Sequence, residues 1–129
     1  MKTFISILLS SILLMQDCSH TEDYYDYFIH NKSDESIYIC EGIDHKYFCA
    51  HSEMLREITQ NSIYNGKVAI INGTAYTDYV YVFKKSTLEK YSVEQIERNK
   101  IHDGLYIVNA IDCREGINNE FVFKGDSEW

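Results

Sequence analysis

Residues 67–84 carry the clearest structural signal in the chain and read KVAIINGTAYTDYVYVFK. The apolar run at 67–71 predicts a buried strand, and Asn72 followed by Gly73 is a tight-turn signal. Over residues 76–84 aromatic side chains alternate with valines, so both faces of this second strand are apolar. Apolar side chains on both faces are typical of a strand that is covered on both sides. This stretch therefore predicts a β-rich core.

Further segments on either side of this stretch also have strand patterns. Residues 25–31 alternate in part between aromatic or aliphatic and polar side chains, and residues 36–40 form a short aliphatic and aromatic run. The residues between them are polar and favour a turn, so residues 25–40 are predicted to form a β-hairpin. The remaining predicted strands are residues 105–111 and 120–124.

Two capping boxes, in which a hydroxyl and a carboxyl or amide group satisfy each other's free backbone amides, follow the strand at 76–84. They are Ser86 with Glu89 and Ser92 with Gln95. Because the two boxes are so close together, they predict a short turn and then one helix over residues 92–99.

The segment from residue 45 to residue 60 leaves two alternatives open. Met54, Leu55 and Ile58 have helical spacing and Ser52 could cap a short helix, but an irregular crossover fits the segment nearly as well. The expected fold is mainly β or α+β. It is an antiparallel sheet or small β-sandwich of about six strands, with one short helix near 92–99.

Composition and charge exclude several classes of partner. The chain has 129 residues, and 12 Lys and Arg stand against 20 Asp and Glu, which gives a net charge of -8. Nucleic acid is excluded because phosphate binding needs a clustered basic surface. The length allows one domain, and a hydrophobic share of 45% with 11 tyrosines is too apolar for disorder.

The N-terminus has the form of a secretory signal. Lys2 precedes an uncharged, largely apolar run at residues 4–15, which is too short to span a membrane. Cys18 lies where a bacterial lipoprotein would carry its lipid, although Asp17 stands where a small residue is usual. We therefore expect a lipoprotein-type signal peptide at 1–17, an acidic tether at 18–24 and a single β-rich domain at 25–129. Without the lipid on Cys18, the protein would be secreted.

Two motifs resemble small uncharacterised surface lipoproteins of Bacteroides-type bacteria. Residues 26–38 read DYFIHNKSDESIY and are similar to that family's first turn, N-x-S-x-x-x-I-Y. Residues 86–96 read STLEKYSVEQI and resemble its D-T-L-E-K-Y-S-W-E-E-I, with Val93 in place of an aromatic residue. The resemblance implies residence in the cell envelope, at the outer membrane, and supplies no catalytic residues.

One cluster has residue types that bind metals. Cys40, His45, Cys49 and His51 could together hold zinc, but their spacing matches no common zinc motif. The alternatives are a disulfide, between Cys40 and Cys49 or another pair that includes Cys113, which suits an oxidising envelope, or simply separate thiols. With Cys18 lipidated or removed, three cysteines remain, including Cys113, so a monomer cannot pair them all.

The sequence contains no catalytic motif, and an enzyme is not expected; no cofactor is expected either. The tyrosines could present aromatic surface to a protein or glycan, but strand propensity alone also explains them. The function expected is that of a cell-envelope lipoprotein acting as a binding or structural module. The alternative is a small secreted metal-binding protein or enzyme that uses the Cys40, His45, Cys49 and His51 cluster.

Overall fold

The computed structural model describes residues 21–42 and 52–125. Eight strands lie in this part of the chain: β1 (Glu22–Asn31), β2 (Ile37–Gly42), β3 (Arg56–Ile58), β4 (Ile63–Ile71), β5 (Thr74–Ala75), β6 (Thr77–Lys84), β7 (Gly104–Asn109) and β8 (Glu120–Phe123). The helices are α1 (Lys85–Lys90), α2 (Val93–Asn99) and α3 (Ala110–Glu115), with a short 3₁₀ helix at Ser52–Met54. None of the described helices is long and apolar enough to cross a membrane.

The strands form two four-stranded sheets. The first sheet has the order β5-β4-β1-β8 and the second has the order β3-β2-β6-β7. All pairs are antiparallel except β1 with β8, which is parallel. The prediction of a mainly β fold rich in antiparallel pairs is confirmed, and the strand at 76–84 is central in its sheet, as expected.

The main core lies between the two sheets, because alternate side chains of facing strands point inward. Tyr27 and Ile29 of β1 and Val68 of β4 come from the first sheet, and all three are buried. The second sheet contributes Ile37, Ile39, Val80, Val82 and Val108. Helix α3 adds Ala110 and Cys113 and contacts both β1 and β4.

A second, smaller cluster covers the other face of the second sheet. Tyr81 and Phe83 project from β6 to this side and pack with Ile96 of α2. The capping box predicted at Ser92 is present, since the Ser92 side chain accepts from the Gln95 amide and the Gln95 side chain accepts from the Ser92 amide. The apolar side chains on both faces of β6 therefore serve two different layers.

The predicted hairpin over residues 25–40 is wrong, because β1 and β2 belong to different sheets. Asn31, fully buried, holds the crossover between them. Its Nδ2 donates to the backbone oxygens of Glu35 and Ile58, each at 2.9 Å, and its Oδ1 accepts from the Ser33 amide at 3.0 Å. The polar residues thus turn the chain from one layer to the other instead of folding it back within one sheet.

Neither alternative for residues 45–60 is right in the part that the structure describes. Ile58 is buried in the main core and pairs with Ile37, so the segment adds the edge strand β3 to the second sheet. The apolar spacing at Met54, Leu55 and Ile58 does not make a helix longer than the 3₁₀ turn.

Several predicted boundaries also change. Strand β1 begins at Glu22, inside the segment predicted as a tether, and β4 begins at Ile63. The strand predicted at 105–111 ends at Asn109, whose side chain accepts from the amides of Ile111 and Asp112 and so caps α3. Ser86 caps nothing, because α1 starts directly after Lys84. The turn at Asn72 and Gly73 is present, with positive φ angles of 49° and 79°.

Candidate functional site

The residues predicted as sites are only partly within the described chain. Cys18, His45, Cys49 and His51 lie outside it, so the lipid attachment, the Cys40–Cys49 disulfide and the metal set stay predictions. Cys40 is 1% exposed in the cluster under α2, whereas Cys113 is buried in the main core. Burial raises the pKa of the Cys113 thiol, with smaller contributions from the charges of Asp112 and Asp78. Among residues 21–42 and 52–125, no group of three or more metal-binding side chains is close enough to hold an ion.

A polar group of side chains surrounds the hydroxyl of the buried Tyr27, and we call it the acidic tyrosine cluster. Its members are Tyr27, Glu41, Arg56, Tyr64 and Asp78. The two carboxylates occupy alternate positions that face inward with buried aliphatic side chains. Glu41 shares its face of β2 with Ile37 and Ile39, and Asp78 shares its face of β6 with Val80 and Val82. Two carboxylates therefore face the first sheet from positions where apolar side chains would be expected.

Glu41 is the most highly bonded member of the cluster. Tyr27 donates its hydroxyl hydrogen to Oε2, and Tyr64 donates to Oε1 at 2.7 Å. Arg56 Nε lies 3.5 Å from the same Oε1, which adds a positive charge. The carboxylate thus has donors on both oxygens, as a half-buried charge requires.

A glycine makes room for one of these donors. Gly66 pairs with Tyr27 in the β1–β4 register, and the tyrosine ring lies across the glycine. A Cβ at this position would come within 2.1 Å of Tyr27 Cζ. Gly66 is therefore required for the ring to lie flat over β4 and for its hydroxyl to reach Glu41.

The two hydroxyls stay protonated at neutral pH and act as donors. Burial raises the pKa of Tyr27 above its ordinary value, and the charge and hydrogen bond of Glu41 raise it further. The same causes raise the pKa of Tyr64, with Arg56 opposing them. The negative charge of Asp78 makes the smallest contribution to both shifts.

Asp78 differs from Glu41 in having no hydrogen-bond donor among the described residues. Burial raises the pKa of Asp78 to about 6, and the negative charge of Glu41 adds to the shift. An acid that titrates this close to neutrality is typical of functional sites, although structural charge networks produce such shifts too. The Asp78 carboxylate therefore has hydrogen-bonding capacity left for a ligand.

Asp78 also lines an open groove, which we call the tyrosine groove, whose other lining residues include Tyr24 of β1 and outward-facing residues of the paired strand β4. The groove has a volume of about 360 Å³, and its lining is mostly apolar. Its lining residues are Tyr24, Lys67, Ala69, Ile71, Tyr76 and Asp78. Lys67 is held by Asp26 at 2.6 Å on the neighbouring strand. The groove thus combines tyrosine walls with one carboxylate that lacks a donor in the described chain.

The tyrosines predicted as possible ligand contacts divide between core and groove. Tyr27 and Tyr81 are buried, as strand propensity alone suggested, whereas Tyr24 is 54% exposed and lines the groove with Tyr76. Sequence reasoning did not single out Glu41 or Asp78. Their spacing could have indicated them, since each lies two residues from a buried aliphatic residue and therefore on the same face of its strand.

Comparison of the chain with protein-family models, with curated proteins and with solved structures found no match.

Proposed function

We propose that the chain is a cell-envelope lipoprotein whose β-sandwich is a binding module, with the tyrosine groove as its ligand site. The observation that carries the binding role is the meeting of tyrosine walls with the Asp78 carboxylate in one groove of about 360 Å³. That volume falls in the range of small ligand sites, which combine apolar walls with few polar groups. Tyrosine suits such walls because it offers apolar area and a polar tip.

The envelope role is supported by the N-terminal sequence. The short apolar run before Cys18 supports export, and a lipid on Cys18 would hold the chain at the outer membrane surface without a spanning helix. The net charge of -8 offers no electrostatic attraction to an anionic leaflet, so attachment needs the lipid.

The anchor and the groove would lie near the same end of the domain. Thr21 accepts from the Asn72 amide at 2.9 Å and donates to Asn72 Oδ1 at 3.0 Å, which ties the start of β1 to the β4–β5 turn. Only Ser19 and His20 separate Cys18 from Thr21. The three residue steps from Cys18 to Thr21 span roughly 11 Å at most, so the sandwich would be held close to the membrane.

Replacing Cys18 tests the anchor. We expect Cys18→Ala to move the protein from the membrane fraction to the soluble fraction of cells, because the thioether and its acyl chains can no longer form. The matched control is Cys113→Ala, which removes a buried thiol of the core and should leave the protein in the membrane fraction. Unchanged partitioning of Cys18→Ala would overturn the lipoprotein proposal.

A further inference from the structure

We propose that the ligand of the tyrosine groove is an extended, basic peptide segment that adds a strand to the outer edge of β4. This inference rests on the binding role proposed above and names the class of partner. Peptides that add to a sheet edge gain affinity from main-chain hydrogen bonds and specificity from alternate side chains that enter pockets.

The hydrogen bonds between β1 and β4 show which backbone groups of β4 point to that edge. Asn31 N donates to Ser62 O and Asn72 N donates to Thr21 O, and both bonds belong to this antiparallel register. Hydrogen-bonded pairs alternate along an antiparallel ladder, so the even-numbered residues of β4 bond to β1. The amides and carbonyls of the odd-numbered residues therefore point away from β1.

The contacts of β5 and the residue after it fit this alternation, and they cover only one end of β4. Tyr76 N donates to the carbonyl of Ala69, an odd-numbered residue, at 3.0 Å. Strand β5 pairs with Ile70 and Ile71 alone. Within residues 21–42 and 52–125, no strand pairs with the rest of this edge, where Ile63, Asn65 and Lys67 present their backbone groups.

The tyrosine groove lies beside the open part of the edge. Lys67 belongs to both, since its backbone faces the open edge and it also lines the groove, and the groove continues to Tyr76 and Asp78, where the chain leaves β5 for β6. Side chains of an added strand alternate between its two faces, so an apolar side chain could enter the groove while the backbone pairs with β4.

Charge favours a basic segment over an acidic one or a second copy of this chain. Asp78 has no donor in the described chain, and the charge of Lys67 is already neutralised by Asp26. The whole chain carries a net charge of -8, which repels a second copy of itself. A lysine or arginine beside Asp78 would supply the missing donor.

The test uses the mature full chain and a synthetic peptide of about eight residues that alternates lysine and valine, with binding measured by calorimetry. Asn65→Pro removes an amide that points to the outer edge and leaves the even-numbered ladder to β1 intact, a position where edge strands tolerate proline. We expect this variant to bind at least about tenfold more weakly. The matched control, Asn65→Thr, keeps the amide and should bind like the wild type.

A second measurement covers the case in which Asn65→Pro does not fold. Two peptides are N-methylated on alternate residues, one on the odd and one on the even positions, so that each loses its amide donors on one edge only. We expect the peptide methylated on the edge that faces β4 not to bind, and the other to bind. Hydrogen exchange should also slow at residues 63–67 of the wild type when the unmodified peptide binds.

Four results would overturn the inference. They are no binding by the wild type, equal binding by Asn65→Pro and Asn65→Thr, equal binding of a glutamate–valine peptide, and a dimer of the chain that Asn65→Pro dissociates. The last result would assign the edge to a second copy.

The lipid anchor and the peptide site can fail separately. If the wild type binds the peptide but Cys18→Ala stays in the membrane fraction, the lipid anchor is wrong and the peptide site stands. If the chain is lipidated but does not bind the peptide, the peptide site is wrong and the lipid anchor stands.

Discussion

At the scale of single residues, the two inward carboxylates of the second sheet have opposite surroundings. Glu41 receives two tyrosine hydroxyls and an arginine, so its charge is compensated. No hydrogen bond compensates the charge of Asp78 in the described chain, and burial raises its pKa to about 6. A residue kept in such a position costs stability at neutral pH, which is typical of a residue retained for binding.

This cost predicts a stabilising substitution. Asp78→Asn keeps the shape of the side chain and removes the buried charge, so we expect the free energy of unfolding at pH 7 to rise by about 1–2 kcal/mol. The shift in pKa from 3.8 to about 6 would give more, but the side chain is partly exposed and solvent screens its charge. Urea unfolding of both proteins between pH 4 and pH 8 measures the difference.

The pH dependence has a definite sign. Between pH 3.8 and about 6 the folded chain holds a proton on Asp78 that the unfolded chain has lost. The contribution of Asp78 to the free energy of unfolding therefore falls as pH rises through this window, and the gain from Asp78→Asn should vanish near pH 4. The exposed Asp34→Asn is the control; a gain of equal size there, or one that persists at pH 4, would contradict the assignment.

At the scale of elements, the crossover from β1 to β2 decides the architecture. A hairpin would place residues 25–40 in one sheet, but the buried side chain of Asn31 bonds the loop to Glu35 O and to Ile58 O beyond the next strand. Ser33 adds bonds to Asn31 Oδ1 from its amide and from its hydroxyl, the latter at 2.6 Å. One side chain thus joins three segments of the chain.

Removing that side chain should be costly. Asn31→Ala removes the Nδ2 donor to the carbonyls of Ile58 and Glu35, of which Glu35 keeps the Ser33 hydroxyl as a donor. It also removes the Oδ1 acceptor of the Ser33 amide, so we expect a loss of roughly 2–4 kcal/mol in the free energy of unfolding. Chemical denaturation measures this loss. The neighbouring exposed Lys32→Ala serves as the control and should change stability by less than about 0.5 kcal/mol. Equal effects of the two substitutions would mean that the loop does not depend on Asn31.

Elements with strong local signals could be predicted from the sequence. The strand at 76–84, the turn at Asn72 and Gly73 and the helix capped by Ser92 each depend on neighbouring residues. Strand β3 could not be predicted, because only its pairing with β2 makes three residues a strand. The candidate site was missed for the same reason: Glu41, Asp78 and Tyr64 meet only once the two sheets face each other.

At the scale of the whole molecule, the helices pack on surfaces of the sandwich other than the proposed ligand site. One face of the second sheet is covered by α2, and α3 packs against β1 and β4. The tyrosine groove, which begins at the end tied to Thr21, and the edge of β4 at residues 63–67 remain open within the described chain. In the proposed account, a lipid on Cys18 holds this end at the membrane and the groove there takes its ligand.

The intact mass of the protein extracted from membranes in mild detergent tests this account most directly. We predict the mass of residues 18–129 plus acyl chains attached through Cys18, and we predict that Cys18→Ala is absent from this extract. A membrane-extracted protein that still carries residues 1–17, or that begins at residue 18 without acyl chains, would contradict the account.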